Sequence, residues 1–213
     1  MTRIKICGMT CEEDVETAVE AGVDALGFIM TKSPRSVTLE KVAAITREIP
    51  PFISTVAVVA NPEPAELAKI VASGLFTHIQ FHGQEPPGIL AGLQTGTIKA
   101  FGIASAKDLE RINLYWTADF FLFDSRVDGA CGGIGKTFDW SILKGLVTAK
   151  PFILAGGLGP ENVAEAIKAC RPAAVDLNSR LELKPGKKDP ERIRLSVREI
   201  READKNISGG EGR

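Results

Sequence analysis

The chain has 213 residues, of which 44% are hydrophobic and 25% charged, with a formal net charge of -1 at pH 7. That balance fits one globular domain with a single large core. It excludes a broad basic surface for nucleic acid, and the sequence has no apolar run long enough to span a membrane.

The chain opens on Arg3-Ile4-Lys5-Ile6-Cys7, a strand-like run without the pattern of a signal peptide, so a reduced cytoplasmic enzyme is expected. Further apolar runs follow at Asp24–Met30, Ile53–Val59, Thr77–Phe81, Thr97–Phe101, Asp119–Asp124, Phe152–Ala155 and Ala173–Leu177. Most are continuously apolar, as strands buried on both faces of a parallel sheet are. Helical patterns fall between them. Thr10 with Glu13 reads as a capping box for the first helix, and Thr38 as the cap of the second. Asn61-Pro62 reads as the start of the third. Pro86–Gln94 is a short, weak helical stretch, Ser105 with Asp108 caps another, and Asp139 starts one more. Pro160 and Pro190 open the last two helices. Strands alternating with helices at intervals of about 20 to 30 residues predict a single-domain (β/α)8 TIM barrel over residues 1–205, with a flexible tail over 206–213.

The runs end on polar residues and glycines: Cys7-Gly8, His82-Gly83, Asp124-Ser125, Ala155-Gly156-Gly157 and Asn178-Ser179. In such a barrel the strand C-termini build the active site. Cys7 shares a strand face with Arg3 and Lys5. Near a helix N-terminus its thiol can ionise easily and act as a base or nucleophile, although a small buried hydrophobe is the plainer alternative. Asp124 follows three apolar residues, where burial raises a carboxyl pKa and suits a general acid; an N-cap or turn role competes with this. Gly156-Gly157 and Asn178-Ser179 end the last two strands, where backbone N–H groups often hold phosphate. Arg35, in the loop after the second strand, can pair bidentately with a substrate carboxylate, or be a solvated charge. His82 shares a face with Gln80 and by itself reads as a hydrogen-bonded structural residue. Asp176 and Lys5, on neighbouring closing strands, read as a buried ion pair.

The glycine-rich stretch Gly129–Gly135 reads as a mobile loop over the site. Gly132-Gly133-Ile134-Gly135-Lys136-Thr137 lacks P-loop spacing, so no nucleotide site is expected. Cys7, Cys11, Cys131 and Cys170 form no CxxC pair, and His78 and His82 are the sole histidines, which argues against a metal site.

Together, Lys5-Ile6-Cys7-Gly8-Met9-Thr10, Ser33-Pro34-Arg35, Gln80-Phe81-His82-Gly83, Gly132–Trp140, Ala155-Gly156-Gly157-Leu158 and Pro185-Gly186-Lys187-Lys188-Asp189 resemble the phosphoribosylanthranilate isomerase family, in order from about residue 3 to 200. The resemblance implies a cofactor-free Amadori rearrangement in tryptophan biosynthesis, acting on a small phosphorylated substrate. Asp124 would protonate the ribose ring oxygen and Cys7, as thiolate, would take the proton from C2. Arg35 would hold the anthranilate carboxylate, and Gly157 and Ser179 the phosphate, with His82, Gly133, Gly135, Gly156, Asp176 and Asn178 completing the substrate site. The partners implied are that substrate and, at most, a second copy, as monomer or homodimer. Arg180 departs from the small residue many relatives carry, so it must turn away from the phosphate loop or add a bond. The rivals are a histidine-pathway sugar isomerase, which would place an aspartate at Cys7, and a non-catalytic phosphate-binding barrel, which needs neither Cys7 nor Asp124. A Schiff-base enzyme fits poorly, because Lys5 and Lys99 do not end strands.

Overall fold

The computed structural model describes residues 1–125, 137–144, 146, 148 and 150–210. Each expected apolar run forms a strand: β1 Arg3–Cys7, β2 Ala25–Ile29, β3 Ser54–Val59, β4 His78–Phe81, β5 Gly96–Ile103, β6 Phe120–Ser125, β7 Phe152–Leu154 and β8 Ala174–Leu177. All neighbouring strands pair in parallel, and β1 closes on β8 with Lys5 opposite Asp176. The result is a closed eight-stranded barrel, the (β/α)8 architecture expected.

Strand alternation divides the core in two. Val56, Ile98, Ala100, Leu122, Ile153 and Ala155 pack together inside the barrel. Ile4, Ile6, Leu26, Phe28, Ile79, Phe81, Phe101, Phe123 and Val175 form the outer layer beneath the helices. Within the first strand, Lys5 and Cys7 are buried while Arg3, at its start, is exposed and paired to Asp24 at 2.6 Å.

The helices are α1 Glu12–Glu20, α2 Leu39–Ile45, α3 Pro64–Ala72, α4 Val163–Cys170 and α5 Pro190–Gly210. Between β4 and β7 the described connections hold 3₁₀ turns instead: Pro87–Leu90, Ala106–Tyr115 and Trp140–Leu143. The first is short and interrupted by proline and glycine, which suits a tight turn better than an α-helix.

Several start signals act differently from expectation. Thr38 caps α2 through Lys41 N–H, and the Ser105–Asp108 capping box forms. The Thr10–Glu13 box does not. Cys11 occupies the N-cap position, and the Thr10 hydroxyl donates instead to the Gly186 carbonyl. Asn61 is not a cap either. It adopts a left-handed backbone (φ 48°), accepts from Gln84 N–H, and leaves α3 to begin at Pro64. The chain after Pro160 becomes helical only at Val163, with Asn162 at the N-cap.

The expected tail boundary is also corrected. Helix α5 runs on through residues 206–210, and Ile207 packs against the core. An apolar side chain at helical spacing from Ile200 and Ala203 keeps that turn attached.

Candidate active site

The C-terminal ends of the strands open into a cavity of about 400 Å³. Cys7, Arg35, His82, Asp124, Gly156, Gly157, Asp176, Asn178 and Ser179 all line it. These are all the described residues that the sequence assigned to catalysis or substrate binding. Gly133 and Gly135, with the loop around them, lie outside the described residues.

At the base of the cavity, Lys5 and Asp176 form the expected buried pair, Nζ to Oδ2 2.8 Å. Burial works against the Lys5 ammonium, but attraction to Asp176 and Cys7 outweighs this and raises its pKa. The other Asp176 oxygen, Oδ1, is buried with no hydrogen-bond partner among the described residues. So is Gln80 Oε1, whose own amide nitrogen lies 3.1 Å from His82 Nδ1. Both residues line the cavity, although these two oxygens are themselves shut off from solvent.

His82 and Asp124 meet across the rim, Nε2 to Oδ2 3.6 Å. Burial pulls the imidazole down to about 4, so it is neutral near pH 7. Burial likewise pushes the Asp124 carboxyl up to about 6, against bonds from Ser125. Asp124 therefore holds its proton far better than a solvated carboxyl does.

Cys7 does not behave as expected. Burial raises its thiol pKa, although Lys5 pulls the other way. The helix expected to lower it begins only at Glu12, five residues further on, and burial decides the direction instead.

Gly156 follows β7 with φ +88°. A Cβ there would lie 2.5 Å from Ser125 N and 2.9 Å from Asp124 Oδ1, so glycine lets this loop back directly onto the acid. Asn162 ties the same loop: its Oδ1 accepts from Gly159 N–H and its Nδ2 donates to the Gly157 carbonyl. Opposite, Asn178-Ser179 leads into a 3₁₀ turn over Ser179–Leu181. Arg180 turns to Glu161 at 3.8 Å and does not line the cavity.

Arg35 is at the cavity but not a solvated loop charge. It is forked onto Glu182, Nη2 to Oε2 2.7 Å. Sequence reasoning missed Glu182, its neighbour Lys188, and the cavity-lining Lys32 and Ser33. A usable signal lay in charged residues flanking a Pro-Gly turn, Glu182 and Lys188 around Pro185-Gly186, directly after the last strand.

Groups able to give and take protons, gathered at the C-terminal rim of a (β/α)8 barrel, place the chain among the barrel enzymes. The model of the N-(5'phosphoribosyl)anthranilate (PRA) isomerase family matches residues 4–199. The N-(5'-phosphoribosyl)anthranilate isomerase of Petrotoga mobilis is 52% identical over 201 residues, covering 94% of this chain and 97% of that one. The phosphoribosyl anthranilate isomerase of Thermotoga maritima superposes with a TM-score of 0.88 at 38% identity, over 95% of this chain and 100% of the other. A phosphoribosyl anthranilate isomerase in complex with reduced 1-(o-carboxyphenylamino)-1-deoxyribulose 5-phosphate superposes at 0.83 with 34% identity, over 95% and 100%. The chain belongs to the phosphoribosylanthranilate isomerase family, and it is an isomerase.

Proposed function

We propose that this chain converts N-(5-phosphoribosyl)anthranilate to 1-(2-carboxyphenylamino)-1-deoxyribulose 5-phosphate in L-tryptophan biosynthesis, with Asp124 as general acid and Cys7 as general base. The observation that carries the reading is the pairing, in one cavity, of a carboxyl titrating near 6 with a thiol at the end of β1. Asp124 protonates the ribose ring oxygen, the ring opens, and the aryl nitrogen becomes an iminium. That cation acidifies the C2 proton, so a thiolate is base enough to remove it. The enolamine then takes a proton at C1 and relaxes to the ketone.

The rest of the cavity suits this substrate. Gln80 and Asp176 add polar side chains to the cavity wall where ribose hydroxyls would lie. Neutral His82, beside Asp124, places no positive charge there that would lower the acid's pKa. The loops at Gly156-Gly157 and Asn178-Ser179 line the cavity and are proposed to hold the phosphate, and Arg35, which lines it too, the aryl carboxylate. Gly133 and Gly135, outside the described residues, are proposed to bind the substrate. The test is loss of substrate fluorescence as N-(5-phosphoribosyl)anthranilate, generated in situ from anthranilate by a phosphoribosyl transferase, is consumed. An inactive purified chain overturns the reading. Whether it works as a monomer or a homodimer is decided by light scattering, and a cytoplasmic location by fractionation of its host.

A further inference from the structure

Strand β8 is followed by a small antiparallel hairpin, β9 Glu182–Lys184 and β10 Lys187–Lys188, turned by Pro185-Gly186. Its two ends bury opposite charges. The Glu182 side chain is 4% exposed and that of Lys188 is 0% exposed. Glu182 takes one whole edge of the Arg35 guanidinium: Nε at 2.8 Å to Oε1 and 3.1 Å to Oε2, and Nη2 at 2.7 Å to Oε2. Its Oε1 also accepts from Lys188 Nζ at 3.1 Å and from Gly186 N–H at 3.3 Å. Lys188 spends its remaining donors on Asn178, 3.2 Å to the carbonyl and 2.9 Å to Oδ1. The cluster lies over the end of β1. A Cβ on Gly8 would sit 2.7 Å from Asn178 Oδ1 and 3.0 Å from Arg35 Cδ.

A buried Glu182–Lys188 pair with a partly buried Arg35 is a poor way to gain stability, since apolar side chains of the same size often do as well. The geometry has a directional consequence instead. A guanidinium presents its five N–H groups in a rigid planar fork. With the Nε–Nη2 edge taken by Glu182, Nη1 and the second Nη2 hydrogen remain for whatever enters the cavity that Arg35 lines. We propose that Glu182 is a positioning residue for substrate recognition: it clamps one edge of Arg35 so that the other edge meets the aryl carboxylate, while Lys188 neutralises Glu182 and fixes Asn178. The inference rests on the reading of the cavity given above. Burial opposes the Glu182 charge, but the bonds from Arg35 and the charge of Lys188 keep its carboxyl below the ordinary range, so the clamp stays ionised near neutral pH.

The test compares kcat/KM for N-(5-phosphoribosyl)anthranilate with that for the aniline analogue, which lacks the carboxylate. The ratio does not depend on how much enzyme is folded. Glu182→Gln places an amide where two cations need an acceptor, and the ratio is expected to fall on the order of 10- to 100-fold, mainly through KM for the anthranilate compound. Arg35→Met is expected to lose at least as much, and the Arg35→Met/Glu182→Gln double variant no more than Arg35→Met alone, because Glu182 acts through Arg35. Glu182→Asp, which keeps the charge but shortens the reach, is expected to fall between wild type and Glu182→Gln; if Glu182→Gln fails to fold, this variant carries the test. A wild-type ratio in Glu182→Gln or Glu182→Asp, or additive losses in the double variant, overturns the proposal. A wild-type enzyme that turns over neither compound overturns the underlying reading instead.

Discussion

Cys7 and Asp124 are set by burial in the same direction, and the proposed chemistry needs them in opposite states. Burial keeps the Asp124 proton on up to about pH 6 and holds the Cys7 thiol above its ordinary 9.0. Between those values the free enzyme carries an ionised Asp124 and a protonated Cys7. The reactive form, with that proton moved from thiol to carboxyl, is its minority tautomer. Below about pH 6 the pair holds one proton too many, and above the thiol pKa one too few. A profile of kcat/KM against pH is therefore expected to fall on both sides, with its acid limb near 6. In Asp124→Asn kcat should drop, because the amide delivers no proton, and the break near 6 should give way to a rate that rises with pH up to the thiol pKa. Cys7→Ser should lose on the order of 10²- to 10⁴-fold in kcat with KM little changed; near wild-type turnover would remove Cys7 from the mechanism. Asp124 also links pH to stability. Its folded pKa lies above the unfolded 3.8, so its contribution is present below about pH 4 and lost as pH rises through 6. Asp124→Asn mimics the protonated acid. It should match wild type in urea unfolding at pH 3.5 and exceed it at pH 7 by on the order of 2 kcal/mol.

At the scale of elements, the loop after β4 is fastened by a second buried pair. Lys99, on the outer face of β5, reaches Glu85 Oε2 at 2.8 Å and the Gly83 carbonyl at 2.8 Å. Phe101 and Tyr115 flank its ammonium at 5.9 and 5.4 Å, and the Tyr115 hydroxyl donates to the Glu85 carbonyl. Glu85 in turn accepts from the backbone N–H of Asn61 and Gly83, joining the ends of β3 and β4. His82 sits directly before this knot. Lys99→Met leaves a buried carboxylate unpaired and should cost about 3–5 kcal/mol in denaturant unfolding. An apolar replacement of both partners, Lys99→Met with Glu85→Leu, should recover part of that loss, although the backbone N–H groups of Asn61 and Gly83 lose their acceptor. A Lys99→Met protein as stable as wild type would mean the knot is not needed.

The whole molecule is closed at its base by the two chain ends. Thr2 donates through its N–H and hydroxyl to Asp204, and Arg201 reaches the Thr2 and Gly22 carbonyls. Deleting residues 206–213 removes Ile207 from the core edge and frays α5 toward these bonds. It should lower stability by about 1–2 kcal/mol, read as a fall in Tm; a tail without structure would cost nothing. The sequence by itself determined the barrel, because strands buried on both faces must be apolar throughout, and their polar ends mark one rim. That is why every strand, and the place of each described candidate from Cys7 to Ser179 on the cavity wall, was legible. Local capping signals at Thr10 and Asn61 failed where a partner distant in sequence, Gly186 or Gln84, competed for the same side chain. The state of Cys7 and the fork between Arg35 and Glu182 were decided only by the tertiary structure. Proton affinity depends on burial and on which charges surround a group, and Arg35 and Glu182 lie 147 residues apart until the barrel closes.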